Sequence, residues 1–169
     1  MSRLVLAVFL TFAAASAAPA SDVVKVFVLA GQSNMQGAGK VAADAKANDG
    51  KGSLEWLVKQ SGSAAKYKHL VDADGKWLAR KDVQIWYLGR TGDLAPGFGS
   101  REGYIGPELG FGQVVGDAID EPVLLIKLAW GGKSLAKDFR PPSSGGEVGP
   151  YYRDLIKLTK EELRDAKTH

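Results

Sequence analysis

The sequence predicts an α/β protein, a three-layer α/β/α arrangement around a central parallel sheet. Three runs carry this reading: residues 23–30 (V-V-K-V-F-V-L-A), 82–88 (D-V-Q-I-W-Y-L) and 122–129 (P-V-L-L-I-K-L-A). The first is almost continuously apolar and β-branched, as a strand buried on both faces of a parallel sheet would be, and the third reads as buried too. Helical patterns stand between and after them, the alternation of a parallel sheet with crossover helices. A Gly-rich loop follows each run, on the rim where open α/β sheets bind ligands.

Residues 1–20 precede the first run. Arg3 is followed by an apolar stretch over 4–15 and by small residues up to Ala20, the layout of a secretory signal peptide. The stretch is shorter than the ~20 residues a spanning helix needs. Export to a secreted or periplasmic location is expected, with residues 21–169 left as one domain and no membrane anchor after cleavage. The first strand, 23–30, runs into the loop G-Q-S-N-M-Q-G-A-G at 31–39. Residues 54–60 read as a short helix, and 67–77, with Asp74-Gly75 as a turn, as a hairpin or an irregular insertion. In the second strand, Trp86 and Tyr87 are adjacent and so point to opposite faces. Residues 89–106, with six Gly and one Pro, read as a long loop, a length that is uncommon unless functional. Residues 107–119 place Leu109, Phe111, Val114, Val115 and Ala118 at helical spacing despite their glycines, with Pro107 suited to the first helical position. The third strand ends at Trp130-Gly131-Gly132. Residues 140–150 form a Pro/Gly/Ser loop, and 151–167 a charged amphipathic helix with Leu155, Leu158 and Leu163 on its apolar side. Three strands make a narrow sheet and the chain stops on a helix, so it is expected to be the N-terminal part of a longer domain.

Composition narrows the chemistry. The 169 residues hold 22 Lys+Arg and 19 Asp+Glu, a net charge of +3, with no dense basic block; no nucleic-acid partner is implied. The 45% hydrophobic and 24% charged content is that of a globular chain rather than a disordered one. The absence of Cys excludes a disulfide scaffold, a thiolate zinc site and a Cys nucleophile.

The loop after the first strand carries the strongest chemical signal. Gly31 permits a sharp bend, which lifts the Ser33 hydroxyl to the sheet rim. A helix starting there would aim free N–H groups at the same place. That geometry suits a nucleophile whose own N–H helps hold an oxyanion. A phosphate-binding turn is the plainer reading, but the spacings fail. Gly39-Lys40 in a P-loop needs Gly at 34 and Ser/Thr at 41, where Asn34 and Val41 stand. The dinucleotide pattern fails at Ala42 and the lipase-type G-x-S-x-G at Met35. From the residues alone, the loop stays open between a catalytic serine and a binding turn.

The stretch L-A-G-Q-S-N-M-Q-G (29–37) resembles the first block of the SGNH-hydrolase superfamily, and more closely its sialate O-acetylesterase-like branch of carbohydrate acetyl esterases. G-P-E-L-G-F (106–111) and I-K-L-A-W-G-G-K-S-L (126–135) resemble that branch too. The resemblance runs from about Lys25 to the end of the chain. It implies hydrolysis of O-acetyl groups on sugars by a serine, with no metal or cofactor. It makes Ser33 the nucleophile, and the N–H groups of Ser33 and Gly106 oxyanion donors, with Gly132 a weaker candidate. Gln32, Asn34, Trp130 and Gly132 are the candidates for substrate binding, with an acetylated carbohydrate as the partner. Two of the family's blocks are not found: the Q-G-E-like segment and the Asp-x-x-His that supplies the base. His69 reads as a surface or hairpin residue and His169 as a frayed end. A hydroxyl without a base is a poor nucleophile, so the chain alone is expected to be nearly inactive.

Other groupings are weaker. Asp72-Ala73-Asp74-Gly75 lacks the further ligands of a calcium loop and reads as a turn. Glu102 and Glu108 could pair as glycosidase carboxylates, but a Glu in a first helical turn is already favoured by the dipole. Trp130 could stack on a sugar, though packing against a helix is the favoured reading. Arg90, Arg101 and Lys133 read as solvated rim charges that could meet an acidic sugar. Two further functions stay open: a carbohydrate-binding module without turnover, which the missing His block favours, and a nucleotide- or phosphate-binding protein, which the glycine spacings disfavour.

Overall fold

The computed structural model describes residues 23–60 and 62–165; residues 1–20, read above as a signal peptide, and His169 lie outside them. Strands β1 (Lys25–Gly31), β3 (Arg80–Tyr87) and β6 (Val123–Ala129) run parallel, and β4 (Arg90–Leu94) adds an antiparallel edge, in the order β1-β6-β3-β4. A separate two-stranded ribbon pairs β2 (Gly39–Lys40) with β5 (Tyr104–Ile105). The helices are α1 (Ser33–Gln36), α2 (Leu54–Lys59), α3 (Ala64–Tyr67), α4 (Pro107–Ala118) and α5 (Pro150–Asp165). The α/β expectation holds, with a mixed sheet whose centre is parallel.

The central strand β6 is buried on both faces, as its apolar run requires. Val123, Leu125 and Lys127 face α4; Leu125 and Val123 join Leu29, Val83, Ile85, Leu94 and Leu109 in the main core. Ile126 and Leu128 point the other way, toward the side where α5 packs on β6. Each fully buried aliphatic side chain contributes about 1.5–3 kcal/mol relative to exposure. Strand β3 alternates as predicted: Val83, Ile85 and Tyr87 are buried, while Trp86 on the opposite face is half-buried.

Helix α4 keeps Gly112 and Gly116 because they are contact points, while Gly110 has open space where a Cβ would be. A Cβ on Gly112 would stand 2.2 Å from Leu94 Cδ2, and one on Gly116 2.4 Å from Arg80 Nε. Only hydrogen there lets the helix lie this close to the sheet. The cost in helix propensity, about 1 kcal/mol per glycine relative to Ala, is offset by that packing.

The expected loop over 89–106 is corrected in part. Its first residues form β4, joined to β3 by the two-residue turn Leu88-Gly89, both at positive φ (46° and 87°). That is the turn whose twist matches a hairpin. Its last residues form β5. The insertion at 67–77 is a small turn, with Val71 bridged to Trp77 and the Asp72 carboxylate accepting from the N–H groups of Asp74 and Lys76. That carboxylate is spent on the turn, as the turn reading of this segment requires.

Candidate active site

Pairing sets the rim. Gly31 of β1 stands level with Ala129 of β6, and the Trp130 N–H donates to the Gly31 carbonyl at 3.1 Å. The loops 31–39 and 130–135 therefore leave the sheet side by side at its carboxyl edge. Ser33 opens α1 there, with an exposed side chain. A cleft of about 330 Å³ opens at the residues just before it, between Gly31-Gln32 and the segment Lys133, Ser134, Leu135 and Phe139, without Ser33 in its lining. The serine is thus at an open rim, not in packed interior.

The Gln32 amide oxygen accepts from both the Ser33 hydroxyl (3.1 Å) and the Ser33 N–H (3.3 Å). Both groups expected to act on a substrate are held by one exposed neighbouring side chain, which can swing clear. Asn34 is exposed beside them. No histidine joins this group among the described residues. His69 lies in a short 3-10 turn and shares a hollow with Leu78, Arg80, Asp82 and Asp117, at the amino end of β3. His69 also borders a groove along α4 that reaches Gly106, without lining the cleft at Gln32.

Gly106 is brought against the serine loop: a Cβ on Gly37 would stand 2.1 Å from Gly106 Cα. Its N–H, however, donates to Glu108 Oε1 at 2.7 Å. In this geometry that N–H is engaged by a carboxylate rather than open to an oxyanion. Gly132 takes positive φ (71°) and is exposed, with open space where a Cβ would be.

Trp130 packs on Tyr151 (ring centroids 5.0 Å apart) and Phe139 (6.0 Å), which seats the start of α5 against the end of β6. The helix-packing reading accounts for this ring. The rim cations are also engaged. Arg90 stacks on Tyr87 at 4.6 Å and donates to the carbonyls of Gly97 and Gly99. Arg101 lies on the Tyr104 ring, and Lys133 on that of Tyr151 at 4.7 Å.

The carboxylate-pair reading of Glu102 and Glu108 is overturned. Glu102 is exposed, whereas Glu108 is fully buried and bound to Lys127 Nζ at 2.6 Å. This buried ion pair has no counterpart among the site residues read from the sequence. Burial pushes the Lys127 ammonium below the ordinary lysine range, and Glu108 pulls it back up. The available signal was the lone Lys in V-L-L-I-K-L-A: a charge inside a doubly buried strand needs a partner. Tyr87 lies beneath the same ammonium at 4.5 Å, and burial raises its phenol above the usual value.

A family model described as carbohydrate esterase, sialic acid-specific acetylesterase, matches residues 23–169. Among solved structures, the chain is similar to the X-ray structure of a protein from Arabidopsis thaliana, with 15% identity and a TM-score of 0.49 over 84% of this chain and 52% of that one. It therefore spans about half the length of that structure. No curated protein matches the sequence.

Proposed function

Because the chain belongs to the carbohydrate esterase, sialic acid-specific acetylesterase family, we propose that it removes O-acetyl groups from sugars through Ser33. The observation that carries this is Ser33 standing exposed at the carboxyl end of β1, next in the chain to Gln32, which lines an open cleft. The Ser33 oxygen attacks the acetyl carbonyl while the Ser33 N–H, freed from Gln32, stabilises the oxyanion. The bond to the sugar oxygen breaks, and the sugar leaves as an alcohol carrying the proton that the serine lost. Water then cleaves the acetyl-enzyme, releases acetate and restores the hydroxyl. The sugar is expected to lie over Gln32, Asn34 and Gly132, and the export signal read at residues 1–20 would place the reaction outside the cytoplasm.

The serine hydroxyl donates to an amide oxygen and not to a base. With unactivated acetyl sugars the 169-residue chain is therefore expected to turn over slowly. The same observation favours a second reading, sugar binding without turnover. A serine-directed phosphonate separates the two. Covalent labelling at Ser33, abolished in Ser33→Ala, supports the esterase; a chain that binds acetylated sugar but is never labelled supports the binding module.

A further inference from the structure

The buried ion pair lies beneath the rim and touches none of the reacting atoms proposed above. The Lys127 ammonium is spent on three acceptors from three separate segments: the carbonyl of Gln36 at 2.9 Å, the carbonyl of Phe98 at 2.8 Å and Glu108 Oε2 at 2.6 Å. An ammonium has three donors, so none is left for chemistry. The second Glu108 oxygen holds the Gly106 N–H. The two side chains are 0% and 1% exposed.

Such a pair is a weak stabiliser, because desolvating two charges offsets most of their attraction. What it supplies here is a fixed junction. Gln36 ends the four-residue helix that Ser33 begins, and Gln36 N–H and Gly37 N–H donate to Gln32 and Ser33 carbonyls at 2.8 and 3.0 Å. A single turn does not hold itself in water. Its far end is anchored by Lys127, and the next residue, Gly37, is pressed against Gly106, the residue whose N–H Glu108 holds.

We propose that Lys127 and Glu108 are positioning residues for Ser33, clamping the carboxyl end of α1 to the loop at Phe98 and to Gly106 so that the hydroxyl is presented in one direction. This rests on Ser33 being the nucleophile.

The test compares the wild-type chain with Lys127→Met/Glu108→Leu, which fills the space with apolar atoms. Phosphonate labelling at Ser33 is resolved into a half-saturating concentration and a maximal rate, alongside thermal unfolding and amide exchange. The maximal rate is expected to fall on the order of tenfold to a hundredfold, with the half-saturating concentration and Tm close to wild type. Exchange over residues 33–37 quickens while β6 stays protected. An unchanged rate and unchanged exchange at 33–37 overturn the proposal. Should the double variant not fold, Glu108→Asp keeps the charge, shortens its reach and is expected to lower the maximal rate alone; no such fall overturns the proposal. If the wild-type chain is not labelled, the nucleophile reading fails. Exchange at 33–37 then decides the clamp by itself: quickened exchange upholds it and unchanged exchange overturns it.

Discussion

Replacing Glu108 by Gln removes one charge from the buried pair while keeping its shape. Lys127 then remains fully buried with the carbonyls of Gln36 and Phe98 but no counter-charge. Breaking a buried pair in this way costs about 3–5 kcal/mol, a large part of the ~5–15 kcal/mol that holds a domain folded. The same loss of the counter-charge lowers the Lys127 ammonium further below its ordinary range. The direction follows from the wild-type site, where burial and Arg90 lower this ammonium and only Glu108 raises it. A base depressed in the folded state is protonated more in the unfolded chain between its folded value and about 10.4, so stability rises with pH across that window. The deficit of Glu108→Gln is therefore expected to be greatest near neutral pH and to shrink toward pH ~10. Urea unfolding followed by tryptophan fluorescence at both pH values measures it. A deficit under about 1 kcal/mol at neutral pH, or one that widens as pH rises, refutes the reasoning.

Three other outcomes are expected. Gly37→Ala places a Cβ 2.1 Å from Gly106 Cα at a φ of +80°; crowding and left-handed strain together are expected to lower stability by about 3 kcal/mol in urea unfolding. Leu88→Asn relieves a leucine at φ 46° in the hairpin turn and is expected to gain about 1 kcal/mol by the same measurement. Gln32→Ala frees the Ser33 hydroxyl and N–H from an exposed amide, so phosphonate labelling is expected to quicken by roughly twofold to fivefold, the worth of a weak hydrogen bond.

Strand β6 is legible in the sequence because burial on both faces demands an unbroken apolar run; β1 and β3 keep exposed residues such as Val28 and Gln84 and are legible from their β-branched and aromatic content. Helix α4 is legible from its spacing even with glycines in it, since Gly112 and Gly116 answer to Leu94 and Arg80 rather than to helix propensity. Strand β4 is not. R-T-G-D-L is an edge strand that buries only Leu94, and the turn that pairs it begins with a leucine, not the Asn or Gly that marks such turns. The place of Ser33 on the rim is legible because it follows closely on a strand; from the residues alone its role stays open between a nucleophile and a binding turn. Its surroundings are not legible. Trp130 reads from the sequence as a packing residue before a sugar platform, but the rings it packs on, Phe139 and Tyr151, are set by how the chain returns along α5. Lys127 announces that it needs a counter-charge, but which carboxylate supplies it is set by how α4 lies on the sheet. Glu108, at a helix start, already has a sufficient local explanation.

The most direct measurement is mass spectrometry of the chain after brief mixing with an activated acetyl ester. An acetyl group on the peptide containing Ser33, absent in Ser33→Ala, is the expected result. Acetylation elsewhere, or equal acetylation of both proteins, would show that the hydroxyl at the end of β1 is not the group that takes up the acyl chain.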